Sequence, residues 1–283
     1  YKVKPFKINN FGVLQKANIF IFRRFKVLET YRPREDILQS TTLWSFPDRG
    51  DWATHNNKYR GNWSPYIPRN IIKRYSKVGD MVLDPFVGGG TTLIEAKLLN
   101  RNAIGIDINP EAIKITKQNL NFKYKTSSRI YLLCRNANNL DFIKNNSIDL
   151  ICTHPPYANM IKYSKNIEGD ISLCSPDDFL MQLKIVAHEL YRVLKANKYC
   201  AFLMGDIRKN KNIIPLGFMS MKVFQETGFL LKEIVIKEQH NCKSTPKWIS
   251  KSSQYNFLLI AHEYLFIFQK PDPSICLDKS VLK

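Results

Sequence analysis

Two short stretches of this 283-residue chain combine residue types that can hold and activate a small molecule. The first is Val82-Leu83-Asp84-Pro85-Phe86-Val87-Gly88-Gly89-Gly90-Thr91-Thr92, an apolar run that ends in an acid and passes into three consecutive glycines. Glycines, lacking Cβ, let the backbone approach a ligand closely. Asp107 follows Gly88 by 19 residues and closes a second apolar run, the position from which a carboxylate accepts hydrogen bonds from ribose hydroxyls. Together they make a nucleoside clamp. A phosphate-binding loop is disfavoured, because Thr91 and Thr92 stand where G-x-x-x-x-G-K-[ST] requires lysine, and the spacing is not the G-x-G-x-x-G of dinucleotide enzymes. The second stretch, Thr153-His154-Pro155-Pro156-Tyr157, ends a further apolar run in a double-proline turn flanked by an imidazole and a phenol. Its bland alternative is a stiff turn carrying a surface histidine.

The elements that position these stretches alternate. Strands are predicted at Met81–Asp84, Ala103–Asp107, Ile130–Cys134, Ile148–Thr153, Tyr199–Met204, Leu230–Ile236 and Phe257–Phe268, from short apolar runs bounded by turn residues. Helices are predicted at Thr92–Leu99, at Pro110–Leu120 and from Pro215 to Thr227 before Gly228. One more follows Ser175, a helix cap with Pro176 at the first position and Asp178 three residues on, and buries a stripe of Phe179, Leu183, Val186, Leu190, Val193 and Leu194. Strands alternating with helices predict a largely parallel sheet covered on both faces. Both chemical stretches then lie beyond the carboxyl ends of strands, where such sheets bind ligands.

Val82 to Thr92 resembles the V-L-D-P-F-x-G-x-G-T-T cofactor motif of amino-methylating DNA methyltransferases, the N4-cytosine and N6-adenine type. The resemblance implies a Rossmann-like α/β fold with a seven-stranded, mostly parallel sheet and an antiparallel edge strand, and S-adenosylmethionine as cofactor. It places Asp84, Phe86, Gly88, Gly89, Gly90 and Thr91 around the methionine end and Asp107 on the ribose. Asn136 stands near where the family carries an acid that meets the cofactor adenine, and an amide can also bond an adenine edge. The segment Asn62 to Asn70 resembles the one that closes over the methionine end, which assigns Trp63 to the cofactor site. The family's [Asp, Asn or Ser]-Pro-Pro-[Tyr, Phe or Trp] motif implies catalytic roles for His154, Pro155, Pro156 and Tyr157: acceptors at the first two positions orient the amine, and the aromatic ring stacks on a base flipped from the duplex. His154 departs from that pattern. Only a neutral imidazole accepts, so activity is expected to fall with the histidine's protonation, within about pH 5.5 to 8. Thr153 resembles the T-S-P-P-Y form of cytosine N4 enzymes, and N4 is preferred over adenine N6.

Bulk properties agree with a polyanionic partner: 43 Lys and Arg against 24 Asp and Glu give a formal charge of +19, although a Lys-, Asn- and Ile-rich composition contributes. Basic residues interleaved with aromatics nominate Lys162, Tyr163, Arg208, His240, Asn241 and Trp248 as DNA contacts. Asp206 is a candidate for the base pocket, and Lys243 to Lys251 for backbone contact. His188 and His262 are expected to be core residues, and His55 has no assignment. Six cysteines without a C-x-x-C pair indicate neither a zinc site nor a disulfide framework, and no metal is expected. The chain opens on Tyr1 rather than Met, so it is expected to be trimmed or to begin inside a longer reading frame. A soluble, cytoplasmic, nucleoid-associated prokaryotic protein is expected, with no membrane span and with a cognate restriction endonuclease as possible partner. The expected organisation is a basic extension (1–45, with Phe20, Phe22, Arg23, Arg24 and Phe25), one methyltransferase domain (46–270) and a disordered tail (271–283). Rival readings are a tRNA guanine N2-type methyltransferase and a catalytically inactive nucleic-acid-binding relic.

Overall fold

The computed structural model describes residues 30–241, 245–272 and 274. Phe20 to Phe25, Cys242, Lys243, Cys276 and the tail from 275 onward lie outside the described residues. The first half of the chain runs β1 (Leu43–Trp44), α1 (Tyr66–Tyr75), β2 (Met81–Asp84), α2 (Thr91–Leu98), β3 (Asn102–Asp107), α3 (Pro110–Asn119), β4 (Ile130–Cys134) and β5 (Ile148–Thr153). After two single turns of 3-10 helix come α4 (Pro176–Val193), β6 (Leu194–Met204), β7 (Ile207–Lys209), β8 (Asn212–Ile214), α5 (Leu216–Glu226), β9 (Leu230–Glu238), α6 (Thr245–Gln254) and β10 (His262–Gln269).

Eight strands form one sheet in the order β1-β9-β10-β6-β5-β2-β3-β4, and β7 and β8 form a separate hairpin. The sheet is Rossmann-like and parallel except at β10, which runs antiparallel to both β6 and β9. Two details depart from expectation. The antiparallel strand lies inside the sheet rather than at its edge, and the strand count is eight because Leu43 and Trp44 pair with Ile236 and Lys237. Part of the expected extension thus belongs to the sheet: Asp36 forms a paired ion bridge with Arg69 of α1, and Trp44 is buried. Strand β10 starts at His262 rather than Phe257, because its partner β9 ends at Glu238, opposite His262, and the pairing closes with the Gln239 amide on the Ala261 carbonyl. Leu258 is 86% exposed in that unpaired stretch.

Local chemistry sets the helix starts. The Ser175 hydroxyl accepts from the Asp178 amide ahead of Pro176, and Asn109 accepts from the Glu111 amide ahead of Pro110. Phe179, Leu183, Val186, Leu190 and Val193 are buried as one stripe against the sheet, with Phe202, Phe224 and Phe268. The opposite face packs Ile67, Ile71 and Ile72 of α1 and Leu93 and Ile94 of α2 on Val82, Leu150 and Leu203. His188, expected in the core, is exposed on α4, off its apolar stripe. Cys152 and Cys200 are buried, Cys174 is half-buried and Cys134 is exposed.

Candidate active site

Chain order reverses across the sheet between β2 and β5: from β2 the chain proceeds outward to β3 and β4, then returns to the far side of β2. The carboxyl ends of these two strands diverge into a crevice, the switch point at which doubly wound sheets bind ligands. Asp84 ends β2 and Thr153 ends β5, and the Thr153 hydroxyl donates to Asp84 Oδ1 at 2.9 Å. Asp84 Oδ2 accepts from Thr92 at 2.5 Å, and the Phe86 amide donates to Oδ1. Asp84 therefore ties two strand ends to the start of α2. Its burial raises its pKa to about 6 despite these donors.

One cleft opens over the glycine turn. Asp84, Phe86, Gly88, Thr91, Asp107 and Asn136 all line it, as does Trp63 from the opposite wall. Gly89 and Gly90, expected at the cofactor, do not. Gly90 takes φ +87° as the cap of α2 with Thr116 packed against it, and Gly89 is covered by the Asn62 amide. Both shape the turn from behind. Gly88 sits at φ +50° with the Tyr59 ring where a Cβ would be, at 2.9 Å. Asp107 accepts from the amides of Gly88 at 3.0 Å and Asn109 at 2.9 Å, and its burial raises its pKa to about 6. A side-chain-free turn, a deep carboxylate, an amide at Asn136 and apolar walls from Phe86 and Ile108 fit a nucleoside-bearing cofactor.

A second cleft adjoins the first. It is lined by Pro155, Pro156 and Tyr157, by Phe46 and Arg49 from the segment before α1, and by Lys237, His240, Asn241 and Glu263 from β9, β10 and the loop between them. Trp63, His154, Pro156 and Tyr163 line both clefts, so the double-proline turn stands at their seam. The indole of Trp63 stacks on the His154 ring at 5.5 Å and 26°. His154 Nε2 lies 2.8 Å from the Tyr157 hydroxyl, which donates to Glu263 at 2.6 Å, and Lys237 donates to the other Glu263 oxygen at 2.9 Å. Gly205 provides the floor for Tyr157, since a Cβ there would lie 2.7 Å from its ring. Burial raises the Tyr157 phenol well above its ordinary range and lowers His154 to about 4. That last shift corrects the expected pH dependence: His154 is neutral throughout about pH 5.5 to 8, so its protonation acts well below that window.

Of the nominated DNA contacts, Tyr163, His240 and Asn241 line the clefts, whereas Lys162, Arg208 and Trp248 do not. Tyr163 faces the cofactor cleft as well, stacked on Tyr59 at 5.8 Å. Asp206 caps the start of α5 through the Gly217 amide and lines neither cleft. Arg208 and Trp248 instead flank one ridge. Arg208 donates to the Leu258 carbonyl and lies 5.2 Å from the Phe257 ring, and Lys251 lies 4.9 Å from the half-exposed Trp248 ring. His55 is buried against Glu95, which also holds Arg69 and Trp52. The stretch from Lys237 to Asn241 was expected at the ligand-binding edge, but Glu263 escaped the sequence reading, although an acid inside the apolar run His262 to Phe268 was a visible signal. Among the described residues no His, Cys, Asp and Glu cluster could hold a metal, and no helix is long and apolar enough to cross a membrane.

The family model described as DNA methylase matches residues 15–118 and 148–282. An RMKL-like methyltransferase domain model matches residues 74–170. Type II methyltransferase M.MjaI of Methanocaldococcus jannaschii is 32% identical over 130 residues, 41% of this chain and 42% of the relative. M.HpaI of Haemophilus parainfluenzae is 53% identical over 85 residues, 30% of this chain and 27% of the relative. M.MthZI of Methanothermobacter thermautotrophicus is 26% identical over 232 residues, 74% of this chain and 60% of the relative. The chain spans less than two thirds of the length of each.

Proposed function

Because this chain belongs to the DNA methylase family, matched over residues 15–118 and 148–282, we propose that it methylates an exocyclic amino group of a DNA base, cytosine N4 in preference to adenine N6. The cofactor is S-adenosylmethionine, which when bound supplies an electrophilic methyl group on sulfur. The observation that carries the reading is the shared seam: Trp63, His154 and Pro156 border both the nucleoside-type cleft and the cleft holding the Pro-Pro-Tyr turn.

The residues divide the work. Asp107 accepts from ribose hydroxyls, Asn136 meets the adenine edge, and the Gly88 turn lets backbone contact the methionine end. An exocyclic amine is a poor nucleophile because its lone pair is delocalised into the ring. The His154 ring nitrogen not bonded to Tyr157 and the Pro155 carbonyl accept its hydrogens and hold the lone pair toward the seam. Trp63 keeps the imidazole in plane, and Tyr157 stacks on the extruded base, offsetting part of the pairing lost on flipping. Phe46 and Met160 give the second cleft apolar surface for a base. The chain's basic ridge around Arg208 and Lys251 meets backbone phosphate. Thr153 before His154 supports the preference for N4. The names of the Type II relatives support a modification role, with a cognate restriction endonuclease as partner.

The test is transfer of labelled methyl from S-adenosylmethionine to unmodified genomic DNA and to tRNA, followed by nucleoside analysis. N4-methylcytosine in DNA is the expected product. N6-methyladenine would overturn the base preference, label in tRNA alone would establish the RNA reading, and cofactor binding without transfer to either would establish an inactive relic.

A further inference from the structure

Family members carry Asp, Asn or Ser at the position of His154, side chains whose acceptor oxygen needs no particular protonation site. A neutral imidazole does: one ring nitrogen accepts and the other donates, and the neighbouring hydrogen bonds decide which. The wrong tautomer would present an N–H to the amine it has to orient. Resting on the methyl-transfer reading above, we infer that Lys237, Glu263 and Tyr157 act as a positioning relay that places the His154 proton on Nε2 and leaves Nδ1 as the acceptor for the target amine.

The direction of the relay follows from donor arithmetic. Lys237 is an ammonium and can only donate, so Glu263 Oε2 accepts at 2.9 Å. The two residues face each other directly across the antiparallel pair of β10 and β9, which fixes their distance through the sheet. Burial favours a neutral Glu263, but the Lys237 charge and the Tyr157 hydrogen bond hold the carboxyl below its ordinary range, so it stays an acceptor at both oxygens. Its Oε1 takes the Tyr157 proton at 2.6 Å. A phenol has one proton. Once that proton is directed to Glu263, the phenol oxygen can only accept from His154 Nε2, 2.8 Å away. Among the described residues that is the only hydrogen bond of the ring, and the face of the imidazole is taken by Trp63. Nδ1 is left with its lone pair, on a residue that lines both clefts.

Replacing Glu263 by the isosteric amide reverses the relay. The Gln carbonyl turns to Lys237, which only donates, and its NH2 faces the Tyr157 oxygen. The phenol proton then swings to Nε2, and His154 is left protonated on Nδ1. The test is long-range proton–nitrogen correlation NMR of the full chain labelled with 15N-histidine at neutral pH, without cofactor or DNA. The His154 signal is identified by its loss in His154→Asn, and unchanged His188 and His262 signals report an intact fold. The expected result is the Nε2–H tautomer in the wild type, the Nδ1–H tautomer in Glu263→Gln, and a mixture in Tyr157→Phe. Methyl transfer to unmodified genomic DNA by Glu263→Gln should fall on the order of 100-fold at unchanged cofactor affinity. An Nδ1–H wild type, or a Glu263→Gln variant that keeps Nε2–H, overturns the relay. Tautomers that switch as expected in a chain that methylates no DNA would leave the relay standing and overturn the methyl-transfer reading instead.

Discussion

The two clefts differ in how the chain builds them. The cofactor side has its polar floor in the end of β2, its glycine turn and the end of β3, within the 24 residues from Asp84 to Asp107, while Asn136, Trp63 and Tyr163 close it from elsewhere in the chain. The amine side draws Phe46 and Arg49 from before α1, His154 to Tyr157 from after β5, and Lys237 to Asn241 and Glu263 from the far strands. Local backbone geometry makes the first; sheet order and register make the second. A lesion on the cofactor side should therefore act on binding of one small molecule. A lesion on the amine side should travel through hydrogen bonds between distant strands.

The largest expected effect that separates the two sides is that of His154→Ala, which removes the proposed amine acceptor. kcat should drop roughly 10²- to 10³-fold with cofactor affinity within about twofold, as measured by single turnover and calorimetry. Equal losses in both would merge the clefts into one. Gly88→Val should do the opposite, weakening cofactor binding by roughly 10- to 100-fold while DNA binding persists, since a β-branched residue at φ +50° is strained by about 1–3 kcal/mol and its Cβ meets Tyr59. Retained cofactor affinity in that variant would remove the glycine turn from the site.

A pH series separates the sides by titration. Below about 6 Asp107 becomes protonated and loses acceptor capacity, so cofactor affinity should fall there, while kcat at saturating cofactor should hold until the pH nears the His154 value of about 4. The stability consequence has the opposite sign. The folded-state pKa of Asp107 is raised, so its contribution to folding is complete below the unfolded value near 3.8 and is lost as pH rises through about 6. Asp84 titrates in the same window, so Asp107→Asn should reduce rather than abolish the slope of that segment of the Tm–pH curve, and an unchanged curve would reassign the carboxylate. The smallest effect is expected at the ridge. Lys251→Ala should leave kcat untouched and reduce the salt slope of DNA affinity by about one, a change that absence of phosphate contact would eliminate.

Much of the fold was legible because its signals are local. The helix start at Ser175, the stripe from Phe179 to Val193 and the strand ends at Asp84, Asp107 and Thr153 follow from caps and periodicity within one element. The misplaced pieces each depend on a remote partner. Phe257 to Ile260 reads as strand but has no β9 residue left to pair with, and the expected edge strand lies inside the sheet because β9 pairs along its outer side. Gly89 and Gly90 read as ligand contacts because glycine permits close approach, but what they approach here is Asn62 and Thr116.

By itself, the order of amino acids determined where an acid, a glycine turn and a Pro-Pro-Tyr turn occur along the chain, because those depend on neighbours a few positions away. Which groups surround His154 was decided only in three dimensions. Lys237 and Glu263 lie 83 and 109 residues beyond His154 in the chain, and only the antiparallel register of β10 on β9 sets them opposite each other and behind Tyr157. A hydrogen bond reads distance in space, and a sequence records only distance along the backbone.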